Sequence, residues 1–170
     1  MNTRFQLALC LAFLSVAATR AADRRFTATS TALIGKPAPD FTLPDLTGRP
    51  FHLSDHRGHV MVLAFWGTWC GPCRAEMPML AALQREFAAS GVEVLPVAFD
   101  DPAKVQVFLQ KKKLSFHSLV DRSGTVAGVY GAHAIPKAFL IGAGGVIQTV
   151  VFGRQRETDF RRLIGTALTR

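Results

Sequence analysis

Two cysteines stand three residues apart in Trp69-Cys70-Gly71-Pro72-Cys73, and that spacing allows two chemistries. As a dithiol, Cys70 would sit at the start of a helix, where unpaired backbone N–H groups and the helix dipole favour a thiolate. The thiolate is the species that attacks disulfides. Cys73, in the first turn, would then be placed to attack a mixed disulfide held on Cys70. Gly71-Pro72 keeps the turn tight and removes one N–H that would otherwise lack a partner. As a metal site the pair supplies two ligands and needs two more. The third cysteine, Cys10, is far off near the N-terminus, and no His-x-x-x-His follows the pair. A CxxC between a strand and a helix favours redox chemistry over metal binding, so no metal is expected.

The flanking elements must deliver that geometry. Val60–Phe65 (VMVLAF) is a continuous apolar, β-rich run, as expected of a strand buried on both faces. Residues 72–89 read as a helix kinked at Pro78 and ended by Gly91. Val92–Phe99 reads as a second strand, with Pro96 arguing for an edge position or a bulge. Asp101-Pro102 opens a helix by the N-cap rule, and it runs to Lys113. Lys111 to Lys113 fall in its last turn, where the dipole favours cations, and read as a solvated helix end. Phe116–Val120 is a further strand and Thr125–Tyr130 a short helix. Ala138–Ile141 and Val146–Phe152 form a closing hairpin about Gly142–Gly145, and Thr158–Leu168 an amphipathic helix. Upstream, Phe41–Leu43 and Phe51–Leu53 bracket a turn and form an N-terminal hairpin. Alternating strands and helices ending in a hairpin give an α/β fold with a mixed sheet.

The chain has 170 residues, 20 Lys+Arg against 12 Asp+Glu, and 49% hydrophobic residues. This composition excludes global disorder and a disulfide-stapled miniprotein. No apolar run reaches the ~18 residues of a membrane helix, which excludes a polytopic membrane protein. Residues 1–21 carry a positive start (Arg4), an apolar run from Leu7 to Ala18 and small residues, the pattern of a signal peptide or an N-terminal anchor. Residues 22–32 read as a flexible linker. Export implies an oxidising compartment, in which free thiols need a purpose. The net charge of +8 suits anionic lipid or acidic partners; no aromatic-interleaved basic stripe suggests nucleic acid.

Around the cysteines the chain resembles a known family. Trp66-Gly67-Thr68-Trp69-Cys70-Gly71-Pro72-Cys73 with downstream Ile135-Pro136 is similar to the thioredoxin superfamily. Gly35-Lys36-Pro37-Ala38-Pro39-Asp40-Phe41-Thr42-Leu43 and Cys73-Arg74-Ala75-Glu76-Met77-Pro78 resemble its TlpA/ResA-like thiol-disulfide oxidoreductases. The resemblance implies a thioredoxin-like fold over residues 33–170, a central mixed β-sheet flanked by helices. It adds an N-terminal β-hairpin extension and a helix–strand insert at about Asp101–Val120. It also implies a periplasmic monomer that reduces specific protein disulfides, for example in cytochrome c maturation. Partners would be protein thiol or disulfide substrates, such as apocytochrome c or a respiratory oxidase subunit, with a membrane thiol reductase as electron donor. The Cys70–Cys73 disulfide would be the only redox group, with no further cofactor.

Three further site assignments combine residue pattern and resemblance. Glu76, Leu80, Leu83 and Phe87 recur at helical spacing, so Glu76 extends an apolar stripe and could move the proton of Cys73. Thioredoxins are thought to use a buried Asp from the central strand; the matching residue here is Ala64, and the resembled branch has a glutamate where Glu76 stands. The resemblance makes Ile135-Pro136 a cis bond opposite the dithiol, with the backbone of Ile135 pairing to substrate. It also places Trp69 against the reactive sulfur, while Trp66 reads as structural. Lys137 departs from the small hydroxyl residue usual there, which could favour an acidic or differently shaped substrate. His117 and His133 read as structural, and His52, His56 and His59 as surface. Two alternatives stay open: Cu(I) handling through Cys70, Cys73 and Met77 or a histidine, and a thiol peroxidase, which wants a hydroxyl where Gly67 stands.

Overall fold

The computed structural model describes residues 28–169. The expected leader over residues 1–21, with Cys10, and the first part of the linker lie outside them. Strand β1 (Thr42–Pro44) pairs antiparallel with β2 (Pro50–His52) across the Asp45–Gly48 turn, as the N-terminal hairpin expected. Asp45 closes that turn: its Oδ1 accepts from the Thr47 N–H and hydroxyl and from the Arg49 N–H. These bonds hold the Asp45 carboxyl far below the ordinary carboxylate range, against the opposing effect of burial.

The main sheet has five strands in the order β5-β4-β3-β6-β7. Strand β3 (Val60–Trp66) lies at its centre, parallel to β4 (Val92–Ala98) and antiparallel to β6 (Lys137–Ile141). β6 continues antiparallel into β7 (Ile147–Phe152), and β4 pairs in parallel with the short β5 (Leu119–Val120). All seven residues of β3 are buried, which is why its sequence shows no polar alternation. Val60, Val62, Ala64 and Trp66 face one core with Met77, Leu80, Leu83, Val105 and Phe160. Met61, Leu63 and Phe65 face a second core with Phe41, Phe51, Tyr130 and Phe139. Each fully buried large side chain contributes about 1.5–3 kcal/mol relative to exposure.

Helices cover both faces. On the first lie α1 (Gly71–Phe87), α2 (Pro102–Lys112) and α4 (Glu157–Leu168); on the second lie α3 (Thr125–Tyr130) and the N-terminal hairpin. Pro78 sits inside α1 and removes the N–H that would have met the Arg74 carbonyl, yet the helix runs on to Phe87. Asp101 caps α2 as its sequence predicts, Oδ1 accepting from the Ala103 N–H at 3.0 Å.

Two expectations change. The strand expected over Phe116–Val120 is limited to Leu119–Val120 because Pro96 of β4 has no N–H to extend the ladder. There the Ser118 hydroxyl donates to the Pro96 carbonyl instead. β4 is therefore not the sheet edge, although its outer flank is laddered only beyond Pro96. In the described end of the linker, residues 28–31 form a helical turn and Ser30 is buried, its hydroxyl near the Tyr130 and Gly131 carbonyls.

Candidate active site

The polypeptide leaves β3 at Trp66 and turns through Gly67–Trp69 into α1. Phe65 is paired with Lys137 across the antiparallel β3–β6 ladder. One step further on each strand, the approach to the cysteines runs beside the entry to β6 at Ile135–Pro136. That peptide bond is cis. The β3–β6 register is thus what brings residues some 65 positions apart to one end of the sheet.

Cys70 is the N-cap of α1, and its Sγ accepts from the Cys73 N–H at 3.2 Å. The two sulfurs are bonded, with Cα atoms 5.2 Å apart. A sulfur in the N-cap place takes up one of the orphan N–H groups at the helix start, the position that favours negative charge. Both cysteines are buried in this oxidised form, and Cys73 shares the first core with Ala64, Met77 and Leu80. Met77 is thus a core side chain. No strand carboxylate reaches beneath Cys73, since Ala64 fills that place.

Glu76 lies one turn beyond Cys73 and is 6% exposed, with Leu80 and Leu83 buried along the same stripe. Its Oε1 accepts from the Gln155 N–H at 3.4 Å in the β7–α4 connection. Burial pushes the Glu76 carboxyl above its ordinary value, while that N–H and the charge of Arg154 pull the other way. A groove of about 430 Å³ opens beside it, between α1 and the Arg154–Glu157 segment. A carboxyl held above its ordinary value by burial keeps its proton more readily than an exposed one, and it stands within one helical turn of the inner sulfur.

Trp69 is 67% exposed, and its indole folds back over Gly67. A Cβ on Gly67 would lie 2.8 Å from the indole Cε2 and Nε1, so this pose requires glycine. Trp66 is buried and packs on Phe108 at 5.2 Å, in keeping with a structural role. The Ile135 backbone makes no hydrogen bond within the chain among the described residues, whereas the Pro136 carbonyl accepts from the Gly153 N–H.

Two residues carry roles that the sequence did not disclose. Asp100, just beyond β4, accepts from the Thr68 N–H at 2.6 Å and from the Thr68 hydroxyl at 2.9 Å, fixing the loop that presents Cys70. Lys137, expected to meet substrate, is instead 3% exposed. Its Nζ donates to the Gly131 carbonyl and the Ser30 hydroxyl and lies over the Phe152 ring. Side-chain alternation along β6 turns Lys137 to the second core with Phe139, away from a docked substrate. No sequence signal marked either: Asp100 lies 32 residues from Thr68, and nothing local set Lys137 apart as buried.

His56 and His117 gather about Glu93, away from the cysteines. His56 Nδ1 is 2.9 Å from Glu93 Oε2, and His117 lies 3.7 Å from Glu93 and 4.0 Å from Asp45. Glu93 pairs with Met61 at the opening of β3 and β4, the end remote from Trp66. His117 is half-exposed, edge-on to Phe51, and not enclosed by apolar side chains as its sequence neighbours suggested.

A family model described as the AhpC/TSA family matches residues 34–150. The thiol-disulfide oxidoreductase ResA of Geobacillus thermodenitrificans is 37% identical over 138 residues, covering 81% of this chain and 79% of that protein. A crystal structure from Chlorobium tepidum, assigned as thiol:disulfide interchange protein DsbE, superposes with a TM-score of 0.75 at 33% identity, over 79% of this chain and 97% of that one. A secreted Mycobacterium tuberculosis disulfide oxidoreductase, homologous to Escherichia coli DsbE, gives 0.67 at 27% identity, over 74% and 95%.

Proposed function

Because the chain belongs to the AhpC/TSA family, among its ResA-like thiol-disulfide oxidoreductases, we propose that it works outside the cytoplasm as a reductant of specific protein disulfides. The observation that carries the reading is the Cys70 sulfur in the N-cap place of α1, bonded to Cys73, at the end of the sheet where β6 begins after the cis Ile135–Pro136 bond. In the reduced protein the Cys70 thiolate attacks one sulfur of a substrate disulfide. A mixed disulfide forms and one substrate thiolate leaves, taking a proton from solvent. Cys73 loses its proton and attacks the Cys70 sulfur, closing the Cys70–Cys73 bond and releasing the second substrate thiol. Two electrons pass to the substrate, and an external dithiol returns them.

Each site residue has a part in this reading. Glu76 takes the proton from Cys73, whose thiol is buried and ionises poorly without an acceptor. Ile135 offers its free backbone groups to an extended substrate segment, and Trp69 covers the approach. The couple itself is the only redox group required. Extracytoplasmic placement is supported by the leader-like residues 1–21 and by the secreted Mycobacterium relative. Substrates of the kind named above, cytochrome c precursors or an oxidase subunit, would receive the electrons, a membrane thiol reductase would supply them, and the protein would act as a monomer. A peroxidatic role fits less well: the hydroxyl it wants at residue 67 would need a Cβ where the Trp69 indole lies.

Equilibration with glutathione or dithiothreitol tests the direction. A reductant should sit near about −270 mV and a strong oxidant near about −120 mV, a gap of about 7 kcal/mol for two electrons. A value at the oxidant end overturns the reductant reading. A Cys73→Ala variant should hold its partner as a mixed disulfide that Cys70→Ala abolishes.

A further inference from the structure

The end of α2 lies beside the start of α1, and the two enclose a second groove of about 430 Å³ lined by Gly71, Arg74, Ala75, Phe108, Lys111 and Lys112. Gly71 is the residue next to Cys70, so the groove begins at the dithiol. Three cations line it, and no carboxylate does. The acids on the adjoining stretches of chain are engaged elsewhere: Glu76 is buried and bonded to the Gln155 N–H, Asp100 to Thr68, Asp101 to Arg122, and Glu86, further along α1, to Arg161. Arg74, Lys111 and Lys112 are exposed, and none forms an ion pair among the described residues. Ala75 also lines the groove that holds Glu76, Arg154 and Arg156. That groove sets Glu76 and Glu157 against Arg154 and Arg156, so the unbalanced positive charge is confined to the groove at Gly71.

Lys111 and Lys112 offset the dipole at the end of α2, as their sequence position suggests, but that function needs no groove and no neighbouring Arg74. Building on the thiol-disulfide reading above, we propose that this groove is the docking surface for an acidic segment of the substrate protein, carrying Asp or Glu beside the disulfide attacked by Cys70. Phe108 supplies an apolar floor for the segment's stem, and the three cations select its charge. The acidic-partner preference that the net charge suggested is thereby assigned to this surface and not to Lys137, whose ammonium is buried.

The test uses the reduced protein and two synthetic peptides, each closed by one disulfide, with Asp and Glu flanking the cysteines in one and Ser and Gln in the other. Stopped-flow tryptophan fluorescence gives the second-order rate constants. At low salt the acidic peptide should react about tenfold faster or more, and the advantage should collapse at about 0.5 M salt. Lys111→Glu should cut the advantage severalfold and Lys111→Glu/Lys112→Glu should abolish it. Lys36→Glu, an exposed change of equal charge beside Ile147 at the opposite end of the sheet, should leave it in place. Equal rates for the two peptides, or an advantage that survives the double reversal, overturn the proposal while leaving the thiol-disulfide reading intact. Equal rates together with binding to phosphatidylglycerol vesicles that the double reversal removes would assign the surface to lipid and also overturn it. If neither peptide is reduced, the thiol-disulfide reading itself fails.

Discussion

Replacing Asp100 with alanine removes both bonds that tie the Thr68 loop to the end of β4, at 2.6 and 2.9 Å. A hydrogen bond to a charged acceptor contributes about 1.5–3 kcal/mol when desolvated. Both groups are only half-buried here, so water recovers part of that, and the expected loss is about 2–3 kcal/mol for the pair. For a domain of this size the midpoint of thermal unfolding should fall by about 5–10 °C. Thr68→Val, which deletes only the hydroxyl bond, should cost about 1 kcal/mol, and the double variant should cost less than the sum of the singles. Urea unfolding of the oxidised protein measures all three. The loop also sets where Cys70 meets a substrate, so the rate with the uncharged 2-hydroxyethyl disulfide should drop about fivefold in Asp100→Ala, equivalent to about 1 kcal/mol. A loss below about 0.5 kcal/mol with an unchanged rate would refute the argument. The Cys70 N–H bond to the Gly67 carbonyl would then be enough to hold the loop.

Glu76→Gln should gain stability relative to the natural protein as pH rises from 4.5 towards neutrality, because a carboxyl raised by burial loses its folded-state advantage as it ionises. Denaturation at acid and neutral pH checks the sign, and the rate of ring closure by Cys73 should become less dependent on pH in the variant. Asp45→Asn should show the opposite trend: its cost is full at neutral pH and fades as pH falls below 3.8, since the natural carboxylate is held ionised. Gly67→Ala should push the exposed Trp69 indole outward, at a stability cost under about 1 kcal/mol because the ring is free to swing. A red shift of tryptophan emission would report the move, and a cost of several kcal/mol would show that the ring is fixed.

The parts legible in the sequence were those written in local patterns. The apolar run of β3, the cap at Asp101 and the glycine-rich turn between β6 and β7 each depend on a few adjacent residues. So does the strand–CxxC–helix junction, and the stripe through Glu76, Leu80 and Leu83 fixed which side of α1 goes inward. What escaped depends on partners far apart in sequence. Pro96 shortens β5 only because Ser118 comes to lie against it. Lys111 and Lys112 are the solvated helix end that their position suggests, but nothing local reveals that this end lies beside Gly71. Lys137 read as a substrate contact because the alternation of β6 matters only once the N-terminal turn carrying Ser30 closes over that face. Asp100 could be assigned to Thr68 only after β3 and β4 were seen to end together.

The two-sided burial of β3 limits how its length can vary. Adding or removing one residue between Val60 and Trp66 would exchange the two sets of side chains, sending Trp66 towards Phe139 and Phe65 towards Met77. A two-residue change would preserve the sides but carry the dithiol about 7 Å along the sheet, out of step with Ile135–Pro136. Insertions and deletions tolerated in homologues or engineered variants should therefore collect in the exposed turns, such as Gly142–Gly145, and leave the count from Val60 to Cys70 fixed.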